Sequence, residues 1–174
     1  MLGLKFKVMP SNADEIEEIR TNCKDMVIGN AQIKARHVAA RLKTGVVIGA
    51  DTTVFVGNKT IIGKPKDYKD ARRILKLLFS RPQWVYTGVC IIDVARKKEI
   101  LGYEKTKVFM IRLTDKEIKS YHAKVNPFDK AGGFDIEGWG SIFIHRIEGC
   151  YSNVIGLPMA KLASMLKKVG VNIL

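Results

Sequence analysis

The sequence predicts an α/β protein, a mixed twisted sheet flanked by helices and arranged in two lobes. Two observations carry that expectation. Apolar runs of strand length (Val46 to Ala50, Trp84 to Ala95, Ile100 to Leu113) are interleaved with segments of helical period (Ile33 to Leu42, Tyr68 to Phe79). The 174 residues are also 47% hydrophobic and 27% charged, a globular balance at a length near one domain, and no repeat, low-complexity tract or linker divides them. A single domain over residues 1–174 is expected.

The elements follow in order. Leu4 to Met9 alternates Lys5 and Lys7 with Leu4, Phe6 and Val8, the period of a half-buried strand that Pro10 closes. Ser11 or Asn12 can cap a short acidic helix from Ala13 to Arg20, although the segment is polar enough to be a loop instead. Asn30 stands where an N-cap belongs, and Ile33, Val38, Ala39 and Leu42 recur at helical spacing to Lys43, with Gly45 as the stop. Val46 to Ala50 reads as a strand covered on both faces and ending in Asp51. Thr53 to Val56 and Thr60 to Ile62 form a small hairpin leading to Gly63, Lys64 and Pro65.

Asp67 caps a helix over Tyr68 to Phe79, whose Ile74, Leu75, Leu77 and Leu78 make one buried stripe. Trp84 to Ala95 and Ile100 to Leu113 are joined by the charged turn at Arg96, Lys97 and Lys98, so they pair antiparallel. Thr114 and Glu117 make a capping box for a helix to Lys124. A glycine-rich stretch follows Pro127, then an alternating strand from Ser141 to Ile147 and a loop from Gly149 to Leu157. Pro158 suits the first turn of a final helix ending near Gly170.

Thirty Lys and Arg against seventeen Asp and Glu leave a charge of +13, which attracts polyanions such as nucleotides, nucleic acids or acidic lipid. The basic residues are scattered and lack an RRM signature or a long basic block, so a solvated lysine-rich surface is a plainer reading than a nucleic-acid face. Cys23, Cys90 and Cys150 are odd in number, far apart and without CxxC spacing; zinc knuckles and a disulfide framework are disfavoured, and a reducing cytoplasm is expected. No run is long enough to span a bilayer, and the first residues turn acidic where a signal peptide stays apolar, so no membrane partner is expected.

From the residues alone, Asp51 puts a carboxylate at the mouth of an α/β sheet, able to hold a divalent metal or take a proton from water, or simply to form a turn. Lys64, between Gly63 and Pro65, is a fixed cation suited to phosphate, or a salt-bridged loop lysine. Asp129 with Lys130 offers another charge pair beside the glycines. His37, His122 and His145 lack HxxE, HxH or Cys/His company, and no nucleophile elbow surrounds Ser141 or Ser152.

Asp51, Lys64, Asp129 and Lys130 fall within a set of ordered motifs. Gly49-Ala50-Asp51-Thr52-Thr53-Val54, Gly63-Lys64-Pro65, Val85-Tyr86-Thr87-Gly88-Val89, Asp129-Lys130-Ala131-Gly132-Gly133-Phe134, Glu137-Gly138 and Tyr151-Ser152-Asn153-Val154-Ile155-Gly156-Leu157-Pro158 resemble, in that order, the Maf-type nucleoside triphosphate pyrophosphatases, also called septum-formation inhibitors. The resemblance implies a two-lobed, Maf/ITPase-like α/β fold with its site in the cleft. It also implies hydrolysis of a nucleoside triphosphate to monophosphate and pyrophosphate, as house-cleaning of non-canonical or modified nucleotides, with Mg²⁺ or Mn²⁺ and in a homodimer. By the match Asp51 is the catalytic carboxylate, activating water or holding the metal; Lys34 and Lys64 are phosphate-binding lysines; Glu15 is a metal-binding acid.

The chain departs from the family in two places. Members begin with a strand and a serine-proline-arginine-arginine loop that grips the triphosphate, whereas Met1-Leu2-Gly3-Leu4 matches the segment after that loop; the start is placed late, the chain is cut, or the form is divergent. Glu137 stands where many members carry glutamine, and a carboxylate, which only accepts, favours a guanine-like or modified base over dTTP and UTP. Trp84, Trp139 and Phe134 could stack a base, but packing suits them better. The rival reading is an inactive, basic protein of the same family that binds nucleotides or nucleic acid.

Overall fold

Among the described residues five strands organise the chain: β1 (Val46–Val56), β2 (Thr60–Ile62), β3 (Gln83–Asp93), β4 (Lys98–Met110) and β5 (Ile144–Glu148). The structure is a computed structural model describing residues 5–18, 22–57 and 60–173. The strands form one sheet in the order β2-β1-β3-β4-β5, and each pairing is antiparallel, so among the described residues the sheet is not the mixed one expected. The α/β class holds. The β3–β4 hairpin turns through residues 94–97, with Lys97 at φ 52, and pairs from Asp93↔Lys98 to Gln83↔Val108.

Alternation along the strands sorts their side chains into two faces. Val47 and Phe55 of β1, with Cys90 and Ile92 of β3, lie under helix α1 (Cys23–Ala39), against Val27, Ala31, Ala35 and Val38. Val54, Val56, Val85 and Val108 point the other way, onto α2 (Tyr68–Ser80) and α3 (Asp115–His122) through Ile74, Leu75, Leu78 and Ile118. On that same face α4 (Tyr151–Ile155) crosses the middle of the sheet, and α5 (Met159–Lys167) packs Leu162, Met165 and Leu166 on Val89 and Ile91. Each such fully buried aliphatic side chain contributes about 1.5–3 kcal/mol of burial free energy.

Several boundaries follow their sequence signals. Asp67 caps α2 by accepting from Asp70 N, and Ala71, Ile74, Leu75 and Leu78 are its buried stripe. Thr114 and Glu117 form the reciprocal capping box of α3. The β1–β2 hairpin pairs Val56 with Thr60.

Other boundaries differ. Helix α1 is capped by Asn22, whose side chain accepts from Asp25 N at 2.9 Å, and Asn30 lies in its interior, 2% exposed, because Cys23, Met26 and Val27 extend the apolar stripe upstream. Lys5 to Met9 is not a strand: among the described residues no strand lies alongside to pair it, and Phe6 and Val8 are 82% and 76% exposed; Leu4 lies outside the described residues. Residues 13–18 are not helical, since Ile16 gives its N–H and C=O to the Asn30 side chain, and residues 19–20 of that expected helix lie outside the described residues. Trp139–Ile142 is a 3-10 turn, so β5 begins only at Ile144, and the expected loop after Gly149 contains α4. Strand β1 runs through Asp51 rather than ending there.

Two glycines set the distance between α1 and the sheet. A Cβ on Gly88 would lie 2.1 Å from Val27 O and one on Gly49 would lie 2.4 Å from Ala31 O. Only bare backbone lets the helix sit this low, which carries its side chains down to the level of Asp51.

Candidate active site

Asp51 occupies the centre of β1 opposite Gly88, on the face covered by α1, and is 8% exposed. A carboxylate so buried needs partners. Lys34 Nζ, from the fourth turn of α1, donates to Asp51 Oδ1 at 2.7 Å and meets Glu15 Oε2 at 2.8 Å. Asn30 Nδ2 donates to Asp51 Oδ2 at 3.3 Å and to Ile16 O at 3.1 Å, while its Oδ1 accepts from Ile16 N at 2.7 Å. Asn30 thus fastens the segment carrying Glu15 to the helix carrying Lys34.

Burial works against the charge on Lys34, but hydrogen bonds and attraction from Asp51 and Glu15 outweigh it and hold the ammonium above the ordinary lysine range. The cluster is two carboxylates about one fixed cation. Sequence reasoning assigned Asn30 to a cap and missed it here; its spacing of four from Lys34, which puts both on one helix face, was the available signal.

Asp51, Lys34 and Glu15 are therefore brought together, while Lys64 and Glu137 stand outside the cluster. Beyond Ile62, paired with Val54, the antiparallel course of the chain carries Lys64 back along β1 in the direction of Asp51. Lys64 is exposed and has no ion-pair partner among the described residues. Gly132 N donates to Gly63 O at 3.0 Å, tying the Lys64 loop to the glycine-rich segment that continues to Glu137. Asp135 Oδ1 accepts from Gly138 N and Gly140 N, a turn that leaves Glu137 exposed with no hydrogen-bond partner among the described residues. Asp129 and Lys130 pair with each other at 2.6 Å.

The motif from Tyr151 to Pro158 serves the scaffold behind β1. Asn153 Nδ2 donates to Val85 O and Thr106 Oγ1, each at 3.0 Å, and Thr52 Oγ1, 2.9 Å from Thr87 Oγ1, donates to Gly156 O at 3.1 Å. These bonds pin α4 to the sheet on the face opposite the Asp51 carboxylate.

Compared with known proteins, the chain matches the family model described as Maf-like protein over residues 1–169. The chain belongs to the Maf-like protein family. Similar curated proteins carry the name dTTP/UTP pyrophosphatase. That of Pelotomaculum thermopropionicum is 43% identical over 173 residues, covering 99% of this chain and 90% of the relative. That of Carboxydothermus hydrogenoformans is 43% identical over 166 residues, covering 95% and 88%, and that of Caldicellulosiruptor saccharolyticus 39% over 176 residues, covering 99% and 88%.

Within this Maf-like chain the donor set can be tested against a divalent metal. No group of three or more His, Cys, Asp or Glu side chains converges among the described residues. Glu15 and Asp51 do converge, on the Lys34 ammonium. Two hard oxygen donors suit a Mg²⁺-like ion only when substrate phosphates and water complete its shell. Among the described residues no helix is long and apolar enough to cross a membrane.

Proposed function

We propose that this chain hydrolyses nucleoside triphosphates between the α- and β-phosphates, with dTTP and UTP as its substrates. The observation that carries the proposal is the Glu15, Lys34 and Asp51 cluster, in a chain about 40% identical over nearly its whole length to proteins named dTTP/UTP pyrophosphatases. Water oxygen attacks the α-phosphorus, the bond to the bridging oxygen breaks, and pyrophosphate leaves with the electron pair. Asp51 takes the proton from water, and the Lys34 ammonium, already charged and placed, faces the phosphate oxygens. Lys64, with no carboxylate partner among the described residues, binds the leaving phosphates.

Glu15 and Asp51 would hold a divalent cation together with the triphosphate. When bound, such an ion supplies positive charge against the phosphoryl oxygens. Glu137 accepts a hydrogen bond from N3–H of thymine or uracil, so its carboxylate does not require the guanine-like base that the sequence favoured. In this reading the protein clears surplus or modified nucleotides from the cytoplasm.

The experiment incubates the protein with dTTP, UTP, GTP and modified triphosphates, with Mg²⁺ or Mn²⁺, and measures monophosphate and pyrophosphate. We expect turnover of dTTP and UTP, and a loss in kcat on the order of 10²–10⁴-fold in Asp51→Asn with an unchanged melting curve. No product from any triphosphate would reject the activity; full turnover by Asp51→Asn would reject the assignment of the base.

A further inference from the structure

Beyond α1 the sheet carries a second surface. Helix α1 packs across β1 and β3, and on the same face, further toward β5, the alternation of β3 and β4 turns out Trp84, Tyr86, Tyr103, Lys105, Lys107 and Phe109. The rings of Tyr86 and Tyr103 are stacked, with centroids 6.4 Å apart and planes within 10°, and Trp84 lies 6.5 Å from Tyr86. Cations stand over these rings: Lys24 over Tyr103 at 5.1 Å, Lys105 and Lys107 over Trp84 at 5.2 and 5.6 Å, and Lys107 also 5.1 Å from Phe109. A cavity of about 320 Å³ opens among Asn22, Lys24, Trp84, Tyr86, Tyr103 and Lys105.

Lys24, Lys105 and Lys107 have no carboxylate in ion-pair contact among the described residues. Glu148, the cross-strand neighbour of Lys107, is engaged by Arg146 at 2.6 Å, and Arg146 itself lies 4.0 Å from Phe109. The strip therefore combines aromatic faces with lysines that have no ion-pair partner among the described residues, in a chain of net charge +13.

We infer that this strip binds single-stranded nucleic acid, lysines meeting the phosphates and aromatic rings taking unstacked bases. Aromatic platforms inside a basic groove bind strands with little regard to sequence. A duplex offers no base faces to such rings. A second copy docking through a two-fold axis would lay these lysines against themselves, so charge complementarity selects a polyanion. Along the rung Asp51↔Gly88↔Tyr103 the backbone of α1 at Val27 sits on Gly88 and stands between the strip and the Asp51 cluster.

The test is fluorescence anisotropy with labelled 12-nucleotide RNA and DNA strands and the corresponding duplexes, using the whole chain. Binding of a single strand, stronger than of duplex, should fall about 20-fold between 50 and 200 mM salt if three lysines neutralise phosphates. Trp84→Ala should weaken it about 5- to 100-fold, and Lys105→Glu with Lys107→Glu should abolish it. Both variants should keep wild-type nucleotide turnover; the pair of exposed Lys105 and half-buried Lys107 serves if Trp84→Ala does not fold. The RNA and DNA arms identify the strand. The inference is overturned if no single strand binds at 50 mM salt, if duplex binds as tightly, if both variants bind as wild type, or if they change only the oligomeric state in sedimentation.

Discussion

His122 is a residue whose environment has a measurable cost. It is buried beside Tyr68 and Tyr121, its Nε2 has no hydrogen-bond partner among the described residues, and burial holds its pKa below the usual histidine range. The unfolded chain therefore takes up a proton near pH 6.5 before the folded one does, so stability is retained above that pH and falls as pH drops toward the folded value. Thermal melting between pH 7.5 and 5.5 should show a smaller decline for His122→Phe than for wild type; equal declines would assign the acid sensitivity to other groups. At this same scale the sequence was legible in part. Asp51, Lys34 and Glu15, which the structure brings together, are singled out by the family resemblance, whereas Asn30 reads as a cap because an asparagine before an apolar stripe looks alike at a helix start and inside a helix. The apolar residues upstream, Cys23, Met26 and Val27, and the Ile16 contacts distinguish the two.

Elements with local signals were read well, and those decided by distant partners were not. The caps and stripes of α2 and α3 and the long β3–β4 pair depend on neighbours in sequence. The expected strand at Leu4 to Met9 depended on a partner strand, and Lys5 to Met9 has none among the described residues. The seating of α1 is another long-range property, set by Gly49 and Gly88 of two strands. Gly88→Ala would put a methyl carbon 2.1 Å from the Val27 carbonyl oxygen, against backbone that cannot rotate aside. We expect a loss of about 1–3 kcal/mol or more in denaturant unfolding, with reduced turnover because α1 carries Lys34. Wild-type stability in that variant would mean that the helix lifts freely from the sheet.

At the scale of the whole molecule, the layered α/β class was evident from the interleaving of strand and helix patterns, but strand direction was not. The antiparallel order of the sheet is decided by where each chain segment returns, which no local pattern encodes. That order has a consequence in time. Strands β3 and β4 are joined by one tight turn and share an eleven-residue register, from Gln83↔Val108 to Asp93↔Lys98, whereas β1 must close a loop containing β2 and α2, and β5 one containing α3, before either can pair. Loop closure delays both outer pairings, so the hairpin is the natural nucleus onto which the rest condenses. Pulsed hydrogen exchange during refolding should find the β3–β4 amides protected before those of the β1 and β5 pairings; simultaneous protection would place the nucleus elsewhere. Since that hairpin also bears Trp84, Lys105 and Lys107, the basic aromatic strip would be the earliest surface presented by the nascent fold, available to a polyanion before Asp51, Lys34 and Glu15 are assembled.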